Sequence, residues 1–260
     1  MAEKINILII DPQNDFIDEK GSLMVKGAIN DMNRLSLLIN NRVKDISSIT
    51  LSLDNHHRFN ISHPLYWVGR NGNHPNPFTI IDPSEVLDGH WVPSKKELLD
   101  ISLNYLKELD KPHCIWPYHC LVGSWGSNIH ESIDYAISNW ETEKKDMAFK
   151  IIKGLYPYSE WFSAIEAIEP NDDNPETLPN KSALDRIENS DNTLIAGEAS
   201  SHCVSETVRS IVKHRPNAIS KIVLLKDAMS PVSGFEEYED NFFNEMKILG
   251  VREGFTSDFY

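Results

Sequence analysis

The feature that most limits how this chain can fold is a repeated alternation. Short, mostly apolar runs are separated by longer stretches whose apolar residues recur every three or four positions. Ile5–Ile10, Ser48–Leu53, His113–Trp116, Ala148–Ile152, Thr193–Gly197 and Lys221–Leu225 each read as a buried strand, bounded by turn-forming or charged residues. Ile29–Val43, Ser127–Trp140, Ser182–Asn189, Ser201–Lys213 and Glu236–Leu249 read as helices with one apolar face. Strand alternating with helix predicts a mainly parallel six-stranded sheet covered on both sides, an α/β/α domain of three layers spanning 1–260. Two stretches break the rhythm: an insertion over about 68–111, with a helix expected at Lys95–Leu109, and the acidic, proline-rich Glu166–Asn180, expected as an exposed loop.

A net charge of −14 argues against nucleic acid as a partner, because phosphate binding needs clustered lysine and arginine. Ile5–Ile10 stops at Asp11, too short for a secretory signal, and no run approaches the ~20 apolar residues of a membrane helix. Three cysteines make no disulfide framework. These observations predict a cytoplasmic protein, and the charge does not exclude a small anionic ligand. The insertion, with Trp91, His74 and His90, offers a lid or a contact for a homo-oligomer.

In doubly wound sheets, ligands bind beyond the carboxyl ends of the strands. Three reactive residue types collect there. Asp11 follows the first strand, Lys153 follows Ala148–Ile152, and Cys203 follows Thr193–Gly197 at the start of a helix. Unpaired N–H groups and the positive dipole end favour a thiolate at such a position, and can also hold an oxyanion. A cysteine there equally suits a small core residue, and an acid or lysine at a strand end is commonly a surface group. The conjunction is what points to chemistry. Asp54-Asn55-His56 ends another strand, so Asp54 and His56 can face one ion, and His119 can add a third ligand. Cys114 and Cys120 are expected in the core.

The motifs Asp11-x-Gln13-Asn14-Asp15-Phe16, Trp116-Pro117-Tyr118-His119-Cys120, Lys153-Gly154 and Gly197-x-Ala199-x-x-His202-Cys203-Val204 occur in that order along the chain. Together they resemble the nicotinamidase/isochorismatase superfamily of cysteine hydrolases, in its metal-binding, nicotinamidase-like branch. The resemblance implies a catalytic triad of Asp11, Lys153 and Cys203, and a cis peptide at Glu198–Ala199. It also implies an oxyanion hole from the Ala199 and Cys203 N–H groups. It assigns Asp54, His56 and His119 as ligands of a divalent metal, zinc or else iron or manganese, with His63 as a further candidate. Phe16 and Trp116 match positions that sandwich a pyridine ring, and Tyr158 is the favoured additional wall.

Lys153 is expected to stabilise a Cys203 thiolate, with Asp11 taking the thiol proton and passing it to the leaving amine. The activity implied is cleavage of nicotinamide or a related aromatic carboxamide to acid and ammonia through a thioester. Alternatives are hydrolysis of a carbamoyl or ureido C–N bond by the same triad, or a binding protein that has lost catalysis. Isochorismatase chemistry is disfavoured, since cleaving a vinyl ether needs no thiol. Ser201, Glu198, the insertion and Leu65-Tyr66-Trp67 depart from the family pattern. Glu198 would alter the charge offered to a substrate if it pointed into the pocket.

Overall fold

The computed structural model describes residues 3–109 and 111–259; positions 1, 2, 110 and 260, within the expected domain and insertion, lie outside them. The central strand is β1 (Ile5–Ile10), with all six side chains buried. Successive side chains of a strand face opposite ways, so Ile5, Ile7 and Ile9 enter one apolar cluster and Leu8 and Ile10 another. That division separates the layers. The helices in chain order are α1 (Asn14–Ile17), α2 (Ala28–Asn41), α3 (Pro83–Leu87), α4 (Leu99–Glu108), α5 (Glu131–Lys144), α6 (Lys181–Glu188), α7 (Ser205–His214) and α8 (Glu236–Leu249). Helix α2 closes the first cluster with Met32, Leu35, Leu38 and Ile39, and α5 adds Ile133, Ala136, Ile137 and Trp140. The second cluster takes Leu184 and Ile187 of α6, Val208 and Ile211 of α7, and Phe242 and Met246 of α8. Each fully buried aliphatic side chain stabilises the fold by about 1.5–3 kcal/mol.

The other strands are β2 (Ile46–Asp54), β3 (Trp67–Gly69), β4 (Ile80–Ile81), β5 (Trp91–Pro93), β6 (His113–Cys114), β7 (Phe149–Lys153), β8 (Asn192–Gly197), β9 (Ile222–Leu225) and β10 (Arg252–Gly254). The main sheet has the order β10-β9-β8-β1-β2-β7, with every pairing parallel. From β1 the chain steps outward through β2 to β7, then returns across β1 to β8 and leaves in the opposite direction. The order therefore reverses between β1 and β8, and connections diverge there to open a crevice at the carboxyl ends.

The expected six-stranded α/β/α architecture is present, but its sixth strand is not the expected one. His113–Trp116 contributes only the two-residue β6, paired antiparallel with β4 outside the main sheet. Its place is taken by β10, whose Arg252 and Glu253 are exposed. The 113–116 segment is apolar because Cys114 and Trp116 join the first cluster and Ile115 a third, with Ile61, Tyr66, Trp67, Ile81, Tyr105 and Leu106, built largely by the insertion. The expected helix at Lys95–Leu109 is a 3-10 turn (Lys96–Leu98) running into α4. Helix α5 begins four residues later than expected, because Asn128 and Ile129 instead pair with the segment after β1.

The Glu166–Asn180 segment is irregular, as expected, but anchored instead of freely solvated. Thr177 is fully buried and its hydroxyl bonds the loop to itself, and Glu166 pairs with Lys213 and His214. Among the described residues, no helix is long and apolar enough to cross a membrane.

Candidate active site

Asp11 leaves β1 in a left-handed conformation, φ +46°, which aspartate tolerates better than most residues. Ser52 on β2 fixes it. The Asp11 N–H donates to Ser52 Oγ at 3.1 Å, and the Ser52 hydroxyl donates to Asp11 Oδ1 at 2.6 Å.

Lys153 ends β7 directly opposite Asp54 at the end of β2, so both side chains reach toward β1. Its Nζ lies 2.9 Å from Asp11 Oδ2 and 3.2 Å from Asp54 Oδ1. It also donates to the Trp161 carbonyl at 3.0 Å and to Cys203 Sγ at 3.7 Å. Gly154 follows with φ +82°, and a Cβ there would stand 2.6 Å from Asp54 Oδ1 and 3.0 Å from His56 Cε1. Only glycine lets the chain turn away from Lys153 this close to Asp54 and His56.

Cys203 lies in a wide π-type turn, Ser200–Val204, between β8 and α7. Such turns concentrate at functional sites. The Glu198–Ala199 peptide is cis. Among the described residues, no group accepts from the Ala199 N–H, which leaves that donor free to face a ligand.

Burial works against charge throughout this cluster. It opposes the Lys153 ammonium, but Asp11 and Asp54 beside it outweigh that cost and hold its pKa well above the usual lysine value. Burial likewise opposes the Asp54 carboxylate, which His56 and Lys153 nonetheless hold well below the usual range. For Asp11, burial raises the pKa, aided by Asp54 and countered by Lys153. For Cys203, burial pushes the thiol well up, and Asp11 and Asp54 add to that against the pull of Lys153. Two carboxylates share one ammonium here, and a third anion has no counter-charge.

Asp54 Oδ2 is 2.8 Å from His56 Nε2 and 3.5 Å from His119 Nε2. One ligand atom from each of these three buried residues falls within 4.8 Å of the others. Two imidazole nitrogens and a carboxylate oxygen are a donor set suited to zinc or iron(II). Asp54 Oδ1 and His56 Nδ1 are buried without hydrogen-bond partners among the described residues. The residues thus fit a divalent cation. His63 stands beside the group, its Nε2 3.3 Å from His119 Nδ1, outside the three converging residues. Burial and the neighbouring His119 and His56 push its pKa down to about 2, so its ring is neutral. Gln13 ties β1 to this cluster: its amide donates to the Asp54 carbonyl at 2.7 Å, and its Oε1 accepts from the Asp54 N–H at 2.6 Å.

A narrow cavity opens over these groups, lined by Cys203, Ala199, Asp54, His119, Phe16 and Trp116. Phe16 meets His119 edge-on at 5.5 Å between centroids, and Trp116 meets His202 edge-on at 5.3 Å. Tyr158 does not line it; that ring packs against Tyr156 and the insertion's cluster. Glu198 is also absent from the wall, and its Oε2 accepts from the Ser230 N–H at 3.2 Å. Ser201 likewise turns aside to Val232 N–H and His202. Cys114 and Cys120 are buried core thiols, as expected.

Glu160, Phe162, His202, Leu23, Val25 and Val232 line the cavity without having been assigned from sequence. For His202, adjacency to Cys203 was an available signal. Glu160 and Phe162 offered only their position downstream of Lys153.

No family model matches the chain, and no curated protein matches it in sequence. Among solved structures it is similar to a nicotinamidase/pyrazinamidase from Acinetobacter baumanii, with a TM-score of 0.68, 18% identity and 99% of each chain covered. The yeast nicotinamidase gives 0.67 at 20% identity, covering 96% of this chain and 98% of that one. A Pyrococcus horikoshii pyrazinamidase, solved in complex with zinc, gives 0.58 at 18% identity, covering 97% and 99%. The fold is that of the nicotinamidase and pyrazinamidase structures.

Proposed function

We propose that the protein is a metal-assisted amidohydrolase that converts nicotinamide, or a related aromatic carboxamide, to the acid and ammonia through a thioester on Cys203. One observation carries the reading: the Lys153 ammonium bridges Asp11 at 2.9 Å and Cys203 at 3.7 Å, and Cys203 lines an aromatic-walled cavity. The likeness in fold to nicotinamidases and pyrazinamidases supports it.

The chemistry follows from the charges. Asp11 accepts the thiol proton as sulfur attacks the carbonyl carbon, and Lys153 stabilises the thiolate as it forms. A carboxylate with a raised pKa is a better base for this step than an ordinary one. The oxygen of the tetrahedral adduct becomes an anion facing the N–H groups of Ala199 and Cys203. Asp11 then returns the proton to nitrogen, the C–N bond breaks and ammonia leaves. A water molecule, deprotonated by Asp11, attacks the thioester; sulfur departs and recovers its proton, releasing the acid.

Asp54, His56 and His119 would hold the divalent ion, and zinc is the leading candidate given their donor types. When bound, such an ion supplies a Lewis-acid contact for a ring nitrogen, which orients the carboxamide. Phe16 and Trp116 hold the ring by edge and face contacts worth about 1 kcal/mol per pair beyond burial.

Ammonia release from a panel of pyridine and pyrazine carboxamides tests the proposal. We expect turnover by the metal-loaded protein and none by Cys203→Ala. A panel with no ammonia released by the intact protein would refute the substrate class.

A further inference from the structure

Glu160 is the one acid on the cavity wall that neither the triad nor the metal-ligand set uses. Only 3% of it is exposed, and it lines the cavity opposite no cation. Its Oε1 accepts from the Trp161 N–H at 3.2 Å, while Oε2 has no hydrogen-bond partner among the described residues. It shares the cavity wall with Asp54 and His119, the proposed metal-ligand residues that also line it. Its backbone is fixed on two sides: the carbonyl accepts from the Ile168 N–H at 3.2 Å and from the Ser159 hydroxyl at 3.2 Å. The following residue, Trp161, holds Lys153 through its carbonyl. The unpartnered oxygen therefore sits on a segment already tied to the triad.

A buried carboxylate oxygen with no donor is costly, and closing the cavity around an apolar or acceptor-only ligand would keep it so. A ligand that brings an N–H to this oxygen removes the cost. Sites built this way reject analogues lacking the donor far more strongly than hydrophobic pockets reject an altered methylene.

We propose that Glu160 determines specificity, selecting planar carboxamides that carry a second N–H donor, such as a ring N–H or an amino substituent, over plain pyridine carboxamide. The substrate class rests on the amidohydrolase reading, but the selection is a property of binding and is measured apart from turnover. The flat shape comes from the aromatic walls, Phe16, Trp116 and Phe162. The donor requirement comes from Glu160 alone.

The test uses matched pairs differing only in the donor: pyrrole-3-carboxamide against furan-3-carboxamide, and each amino-nicotinamide isomer against its methyl counterpart. Binding to metal-loaded Cys203→Ala protein is measured by titration calorimetry, and kcat and KM for ammonia release are measured with the intact protein. We expect at least one donor-bearing compound to bind tenfold or more tightly than its partner, with the gain in KM more than in kcat. Glu160→Gln should narrow that ratio to under threefold, with the metal content unchanged. A ratio under tenfold in every pair overturns the proposal. So does a ratio that survives Glu160→Gln, or a variant that loses metal while keeping the ratio, which would make Glu160 a support for the ligand set. Should Glu160→Leu, the stronger test, fail to fold, the wild-type ratio and the near-isosteric Gln variant still decide. Selective binding without turnover refutes the hydrolase reading; turnover without selectivity refutes this one.

Discussion

Replacing Lys153 by methionine tests the electrostatic heart of the site. Methionine keeps most of the apolar stem and deletes the ammonium, which is fully buried between Asp11 at 2.9 Å and Asp54 at 3.2 Å. At an effective dielectric near 20, charges at those separations attract by roughly 5–6 kcal/mol each. Several kcal/mol of that only offsets the desolvation of the ammonium itself, and one carboxylate can take up a proton when its partner is gone. Breaking a buried pair from one side therefore nets a loss of about 3–5 kcal/mol.

The pH dependence has a definite sign. Without the ammonium, the Asp11 carboxyl is raised further above its unfolded pKa by burial and by Asp54, both of which already raise it. A carboxyl with a raised folded pKa contributes stability below its unfolded pKa and loses it as pH rises through the folded value. The variant should therefore fall further behind the wild type at pH 8 than at pH 5. Urea unfolding of both proteins at several pH values measures this. A variant within 1 kcal/mol of wild type at pH 7, or one whose deficit grows toward acid, would refute the buried, doubly paired ammonium.

Gly154→Ala should cost about 1–3 kcal/mol, since alanine must take φ +82° and its methyl would press on Asp54 Oδ1. Because that oxygen belongs to a proposed metal-ligand residue, retained metal after dialysis, measured by elemental analysis, should fall about 10- to 100-fold. His113 and His202 are buried with pKa values pushed down to about 4 and about 3. Both remain neutral while the unfolded chain protonates them, so stability present above about pH 6.5 is lost progressively as pH falls toward 4. NMR should show neither ring titrating between pH 5 and 8, and His113→Gln should shallow the acid limb of the stability curve.

The strand ends could be read from sequence because burial on both faces demands continuous apolar runs, and Ile5–Ile10 is one. Helix α8 was legible over its full span, Glu236–Leu249, because its start and stop residues agree with its apolar periodicity. Edge strand β10 was not: it has one buried face position, Gly254, and no apolar signal. Conversely, 113–116 looked like a sheet strand because burial, which its composition reports, does not reveal what it is buried against. Here Ile115 packs into the cluster built with the insertion, while Cys114 and Trp116 join the main core.

The site divided in the same way. Asp11, Asp54, Lys153 and Cys203 were identifiable because a parallel sheet delivers strand-end residues to one edge wherever they occur in the chain. Tyr158 and Glu160 were not, because both lie on an irregular segment where no periodicity fixes the direction of a side chain.

Sequence alone determined the layered architecture, five of the six sheet strands to within a residue or two at each end, and the residue types at the crevice, since these follow from local pattern and chain connectivity. Tertiary structure alone decided which charges share an ammonium, that burial and two carboxylates oppose ionisation of the cysteine, and that Glu160 lines the cavity while Glu198 turns away. The physical reason is that ionisation and side-chain direction depend on burial and on neighbours within a few ångströms. Those neighbours are brought together across more than a hundred residues of chain, from Asp11 to Lys153 to Cys203.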